Sequence, residues 1–135
     1  VANGFNTKRL NMLLAVLEKK CGFKLSSKDV FLNIAGGIHV SDPSMDLAVI
    51  ASILSSADDI IIPPNIFFCG EVSLNGEIRT IPRIDTHIGE ASRIGFNTIV
   101  ISSPNLMNND ADKMKIVDCS KVVDLFTYLS KITNS

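Results

Sequence analysis

The chain has 135 residues, 46% of them hydrophobic and 20% charged, which suits one domain with an aliphatic core and excludes disorder. Thirteen basic residues against fourteen acidic ones leave a formal net charge of −1. No overall attraction to nucleic acid or to an anionic membrane is built in, so any such binding must come from a local patch or from other parts of a longer protein.

Residues 7–21 are predicted to form a helix. Leu10, Leu13, Leu14, Leu17 and Cys21 make one apolar stripe, Asn6 can cap the start, Lys19 and Lys20 suit the last turn, and Gly22 can end it. Residues 29–35 read as a strand, with Val30, Leu32 and Ile34 on one face. Gly36-Gly37 then breaks or bulges it, and Ile38-His39-Val40 continues it. Asp42 as N-cap and Pro43 at the first helical position open a second helix. Its residues Leu47, Ala48, Val49, Ile50, Ala51, Ile53 and Leu54 are apolar on nearly every side, so it should run through the middle of the domain and end at Asp58-Asp59.

Pro63-Pro64 forces an extended connection. Ile66 to Leu74 and Glu77 to Ile81 then flank Asn75-Gly76, which predicts a hairpin with a type I′ turn. A third helix over 84–94 turns Ile84, Ile88, Ala91 and Ile94 inward, with Gly95 after its end. Thr98–Ser102 is a short, fully apolar strand, 105–112 a polar loop and Lys115–Asp118 a brief strand. Ser120 caps a last helix carrying Val123, Phe126, Leu129 and Ile132. The expected class is α/β (α+β): one domain over 1–135, with a lead-in helix and loop over 1–28 and the core over 29–135.

The three cysteines, Cys21, Cys69 and Cys119, are widely spaced and odd in number, and His39 and His87 lie far apart. That pattern gives no disulfide framework and no metal-ligand spacing; it reads as buried thiols in a reducing cytoplasm. No apolar run approaches the roughly 18–20 residues that cross a bilayer, no signal peptide is visible, and the Val1 start suggests a fragment of a longer protein.

Several of these segments together resemble the proteolytic domain of Lon: Asp29–Ala35, Pro43-Ser44, the run Gly70-Glu71-Val72-Ser73-Leu74-Asn75-Gly76-Glu77-Ile78, and Glu90-Ala91 followed by Gly95. Within that superfamily the chain is most similar to the C-terminal domain of the RadA (Sms) family of bacterial DNA repair proteins. That match adds Asn6–Leu10, Leu13–Lys19, Ala35-Gly36-Gly37, Asp46–Val49 and Ser55-Ser56, and covers nearly the whole chain. The resemblance implies a Lon-like fold with a mixed sheet, packed helices and one β-hairpin. It implies a cytoplasmic parent that moves along DNA at the expense of ATP, extends heteroduplex during recombinational repair and works as a hexameric ring. ATP, Mg and Zn would belong to upstream domains, since this chain has no CxxC and no Walker A loop. A recombinase would be a partner. This domain itself would need no cofactor, would act as a ring scaffold and would offer a DNA-contacting surface.

Lon enzymes use a Ser–Lys dyad in which a desolvated lysine takes the serine's proton. By the resemblance Ser44 stands at the nucleophile, but Met45 and Asp46 follow it where Lon has small residues. The dyad lysine aligns with Asp85, and no lysine occurs among the 84 residues from Asp29 to Asp112. The domain is therefore expected to lack protease chemistry, leaving Ser44 and Asp85 as vestiges: a first-turn serine bonded locally and a first-turn carboxylate. The competing reading is an active serine peptidase with Ser44 as nucleophile and a rearranged base, His87 with Asp85. A third is an assembly module without DNA contact. Glu71, Glu77, Asp58 and Asp59 read as solvated charges. Arg79, Arg83 and Arg93 fall within fifteen residues and form a candidate phosphate patch, against the alternative of scattered charges paired with Glu77 and Glu90. Lys8, Arg9, Lys19 and Lys20 form a second candidate.

Overall fold

The computed structural model describes residues 7–22, 43–102 and 114–133, with Thr7 and Lys8 described by backbone alone. The expected strand at 29–35, the Gly36-Gly37 bulge, His39, the caps Asn6 and Asp42 and the 105–112 loop lie outside the described residues.

Helix α1 spans Thr7–Cys21, as its apolar stripe predicts, and Gly22 follows it at φ 74°. Leu10, Leu13, Leu14, Val16 and Leu17 are all buried. A single 3-10 turn, Pro43–Met45, leads into α2, Asp46–Asp58. The regular helix thus starts three residues later than its Pro43 signal suggests. The tighter turn leaves the Ser44 carbonyl free to accept from Gly70 N at 2.8 Å. Asp59 ends α2 in the left-handed region at φ 52°, its N–H donating to the Ser55 carbonyl.

Strand β1 (Ile66–Phe68) pairs in parallel with β4 (Thr98–Ile101), which pairs in parallel with β5 (Lys115–Asp118). The sheet order is β1-β4-β5, so β4 is central, and all four of its residues are buried. Side chains alternate across this sheet as period 2 requires. Ile66, Phe68 and Val100 face a core shared with α1, α2 and the last helix, α4 (Val122–Thr133). Cys69, Ile99 and Ile101 face α3 (Ile84–Ile94) through Ile88 and Ala91, with Phe67 tilted against Phe96 at a centroid distance of 5.3 Å. The described residues therefore make a mixed α/β arrangement with helices on both faces of a small sheet, and none of their helices is long and apolar enough to cross a membrane.

Five expectations need correction. The long hairpin divides: 66–68 joins the parallel sheet, and only β2 (Glu71–Val72) and β3 (Ile78–Arg79) form the antiparallel ribbon, with Glu71 opposite Arg79 and Val72 opposite Ile78. Its turn is not type I′. Gly76 has φ 84°, but Asn75 is not among the positive-φ residues, and Gly76 N donates to the Ser73 carbonyl while Ser73 N donates to the Glu77 carbonyl. That is a three-residue loop closed by a left-handed glycine, the other common hairpin solution. On α4 the buried stripe is Val122, Leu125 and Leu129, with Phe126 and Ile132 only partly covered and Val123 exposed; the predicted face is rotated by about one position. Its cap is also inverted. Asp124 reaches back to accept from Lys121 N at 3.1 Å and from both the N–H and the hydroxyl of Ser120. On α3, Ile94 points to solvent, because it falls off the stripe set by Ile84, Ile88 and Ala91.

Candidate functional site

The N-terminal turn of α2 and the hairpin are bonded into one unit. Gly70 N donates to the Ser44 carbonyl, Leu47 N donates to the Gly70 carbonyl at 3.0 Å, and Val72 N donates to Asp46 Oδ2 at 3.0 Å. Gly70 must be glycine for this approach, since a Cβ there would stand 2.8 Å from Ile78 Cγ2 and 3.4 Å from Leu47 Cδ2. The opposite edge of the hairpin is closed as well. Ile78 N donates to the Ser120 carbonyl at 2.8 Å, and Val122 N donates to the Gly76 carbonyl at 2.9 Å.

Asp46 is the residue that sequence reasoning misplaced. In sequence it follows Ser44 at a position where Lon has a small residue. In the structure it is fully buried, and its carboxylate takes Arg9 Nε at 2.6 Å and Arg9 Nη2 as well as Val72 N. Arg9 also lies 3.6 Å from Glu71. The bidentate bond with Asp46 raises the Arg9 pKa further, against the opposing effect of burial. Arg9 is thus committed to an ion pair between α1, α2 and β2 and does not belong to a free basic patch. A signal was present: an acid placed directly before an all-round apolar helix must be buried and needs a cation.

Ser44 is buried, at 9% exposure. With Pro43, Glu71, Ile81, Pro82 and His87 it lines a cleft of about 270 Å³. The structure therefore brings Ser44 and His87 to one cleft and adds Glu71. Asp85 is not part of it; it stands exposed in the first turn of α3, where the helix dipole favours a carboxylate.

Arg79 on β3, Arg83 before α3 and Arg93 in its last turn are all exposed, and none is within ion-pair distance of a described carboxylate. Arg83 holds a left-handed backbone at φ 59°, and its carbonyl accepts from Thr86 N and His87 N. Arg83 and Arg93 sit at opposite ends of α3, about 15 Å apart along its axis at 1.5 Å per residue. Arg79 and Arg83 are four residues apart in the chain, on β3 and just before α3, and Arg93 is at the far end of that helix.

Arg79 also helps line a second cleft, of about 480 Å³, with Arg9, Met12, Glu71, Leu74 and Glu77. Lys19 and Lys20 are exposed at the end of α1, and the Lys20 stem lies over Gly76. Glu71 is half-buried rather than fully solvated, whereas Glu77, Asp58 and Asp59 are exposed. Cys69 and Cys119 are buried and Cys21 half-buried, none of them in a disulfide. Burial, with the nearby Asp124 and Asp118, pushes the Cys119 thiol up to about 11. Among the described residues no group of three or more His, Cys, Asp or Glu side chains converges as a metal site.

Comparison with known proteins gives consistent results. The profile of a family described as subunit ChlI of Mg-chelatase matches residues 6–105. The chain is 40% identical over 124 residues to DNA repair protein RadA of Rickettsia typhi, covering 92% of this chain and 27% of that protein. It is 52% identical over 96 residues to that of Helicobacter pylori (71% and 21%), and 41% identical over 106 residues to that of Bacillus subtilis (78% and 23%). The chain spans about a quarter of the length of these relatives. By its profile match and these identities, the chain belongs to the ChlI family, in the region that it shares with RadA-type DNA repair proteins.

Proposed function

We propose that this chain is a Lon-like, non-proteolytic module of a RadA-type DNA repair protein, serving as a ring-assembly scaffold and touching DNA through Arg79 and Arg83, with Arg93 outlying. The observation that carries the reading is Asp85, a carboxylate at the dyad-lysine position that stands in the first turn of α3 rather than among the described residues of the Ser44 cleft. The described lining of that cleft is Pro43, Ser44, Glu71, Ile81, Pro82 and His87, and Asp85 is exposed. A carboxylate at that position cannot serve as the desolvated amine of a Ser–Lys dyad. The hairpin supports the same reading. Val72 N, an outward donor of β2, is already bonded to Asp46, so the edge next to Ser44 has no donor at that position for an extended substrate.

In this reading the parent is cytoplasmic, works as a hexameric ATP-driven motor on DNA alongside a recombinase, and carries its ATP, Mg and Zn sites upstream. The test is a pair of measurements on the full-length protein. It should leave an unfolded protein substrate intact. Arg79→Glu with Arg83→Glu should weaken DNA binding and flatten its salt dependence by roughly two phosphate contacts. An unchanged salt slope would remove DNA contact from the reading and leave an assembly module. A second reading, a serine peptidase with Ser44 as nucleophile, draws on the shared cleft of Ser44 and His87. Cleavage of an unfolded protein that disappears in both Ser44→Ala and His87→Ala would establish it.

A further inference from the structure

The hairpin loop carries a reactive pair. Asn75 is exposed, and Gly76 follows it without a side chain to shield its backbone nitrogen, so the asparagine side chain can react with its own backbone. The reaction needs only water and a solvent base. The Gly76 nitrogen gives up its proton and bonds to Asn75 Cγ. The Cγ–Nδ2 bond breaks, and ammonia leaves with a proton returned by water. A second step adds water to either carbonyl of the cyclic imide and gives aspartate or isoaspartate. One water is consumed and one ammonia released, with no change of oxidation state.

The folded loop holds both reacting groups. Gly76 N donates to the Ser73 carbonyl at 3.0 Å, so the proton that must leave is engaged. Asn75 Oδ1 accepts from the Ser73 hydroxyl, and Asn75 Nδ2 donates to Glu77 Oε1 at 3.4 Å, so the amide is tethered at both atoms. Gly76 is also fixed from outside the loop. Its carbonyl accepts from Val122 N at 2.9 Å, and the Lys20 stem lies over it, 3.0 Å from where a Cβ would stand. Ring closure requires the Gly76 N–H and the Asn75 amide to be released together.

We propose that Asn75 is a self-modification site kept closed by the latch between the hairpin and α4, and that its conversion to isoaspartate stops the latch from closing again. Isoaspartate carries the backbone through Cγ and inserts a methylene before Gly76. The loop has no slack for it, because Ser73 N is bonded to the Glu77 carbonyl at 2.9 Å while Gly76 and Ile78 are bonded to Val122 and Ser120. The aspartate product acts in the same direction. The amide that donated to Glu77 becomes a carboxylate beside it, and the like charges repel. Reaction follows opening and cannot be undone by closing, so the mark records how often the hairpin leaves α4.

The test incubates the full-length protein in mildly alkaline buffer, folded and unfolded in guanidinium chloride. Isoaspartate at position 75 is read by mass spectrometry with electron-transfer fragmentation. The unfolded protein should convert, and the folded protein should convert about tenfold or more slowly, because reaction waits on a local opening. Ser73→Ala frees Asn75 Oδ1 and should speed conversion of the folded protein several-fold. The converted fraction of that variant, separated by charge, should exchange its Val122 and Ile78 amide hydrogens faster than the unconverted fraction. Asn75→Gln should leave the site unconverted throughout. Equal rates in folded and unfolded protein, or conversion no faster in Ser73→Ala, overturn protection by the loop. Unchanged exchange at Val122 in the converted fraction overturns the latch, and an unfolded protein that keeps Asn75 intact overturns the site.

Discussion

Replacing Arg9 by Met retains an unbranched, flexible stem and removes the cation. Asp46 is then a fully buried carboxylate with one described donor, Val72 N. Breaking a buried pair from one side typically costs about 3–5 kcal/mol. The Arg9 side chain is 23% exposed, so water can reach its vacated place, and the lower end, about 3 kcal/mol, is expected. With a urea m-value of about 2 kcal/mol/M for a chain this size, the midpoint should fall by about 1.5 M with the slope unchanged. Asp46→Asn should cost less, because the remaining guanidinium is partly solvated and the amide oxygen still accepts from Val72 N. The double variant Arg9→Met, Asp46→Leu should recover most of the loss, since neither buried charge remains. A cost under about 1 kcal/mol for Arg9→Met, or strict additivity in the double variant, would refute the reasoning.

Gly70→Ala should destabilise by about 1–3 kcal/mol through overpacking, and Ile78→Leu in the same chain should relieve part of that cost, because it removes the colliding Ile78 Cγ2; additive losses in thermal melts would speak against the close approach. On α4, Leu125→Ala should cost about 2–5 kcal/mol and Val123→Ala less than 0.5 by chemical denaturation, and the reverse order would restore the face expected from the sequence. Cys119 gives a pH dependence. The folded thiol ionises near 11 against an ordinary value of 9.0, so the unfolded chain loses its proton first. Stability should hold below pH 9 and decline between 9 and 11, and Cys119→Ala should flatten that decline in urea midpoints measured across the range.

The elements with strong local periodicity were legible from sequence. Helices 7–21 and 84–94 and the strands at 98 and 115 fall where apolar spacing and glycine stops place them. The failures have one physical source. Ile66–Phe68 reads like the start of the hairpin because it is extended and apolar, and only the partner across the sheet, Thr98–Val100, assigns it elsewhere. The Asn75-Gly76 signal gave the hairpin correctly but not its turn, since Ser73 binds both the Glu77 backbone and the Asn75 side chain and selects the longer loop. The α4 face was rotated because its tightest contacts, at Val122 and Leu125, are set by the hairpin and α1 rather than by the helix alone. At the candidate site the missing lysine was visible in the sequence. Neither the capture of Arg9 by Asp46 nor the sharing of one cleft by Ser44, Glu71 and His87 could be, because both depend on contacts distant in sequence.

The bonds that close the outer edge of β3 have a consequence during synthesis. Ile78 and Gly76 find their partners at Ser120 and Val122, about forty residues further along, so at ribosomal rates of roughly 5–20 residues per second the hairpin emerges several seconds before its edge can be covered. In that interval Ile78 and the adjoining backbone are open to any passing strand. The nascent polypeptide is thus most vulnerable to mispairing over a window that only translation of the last helix can end.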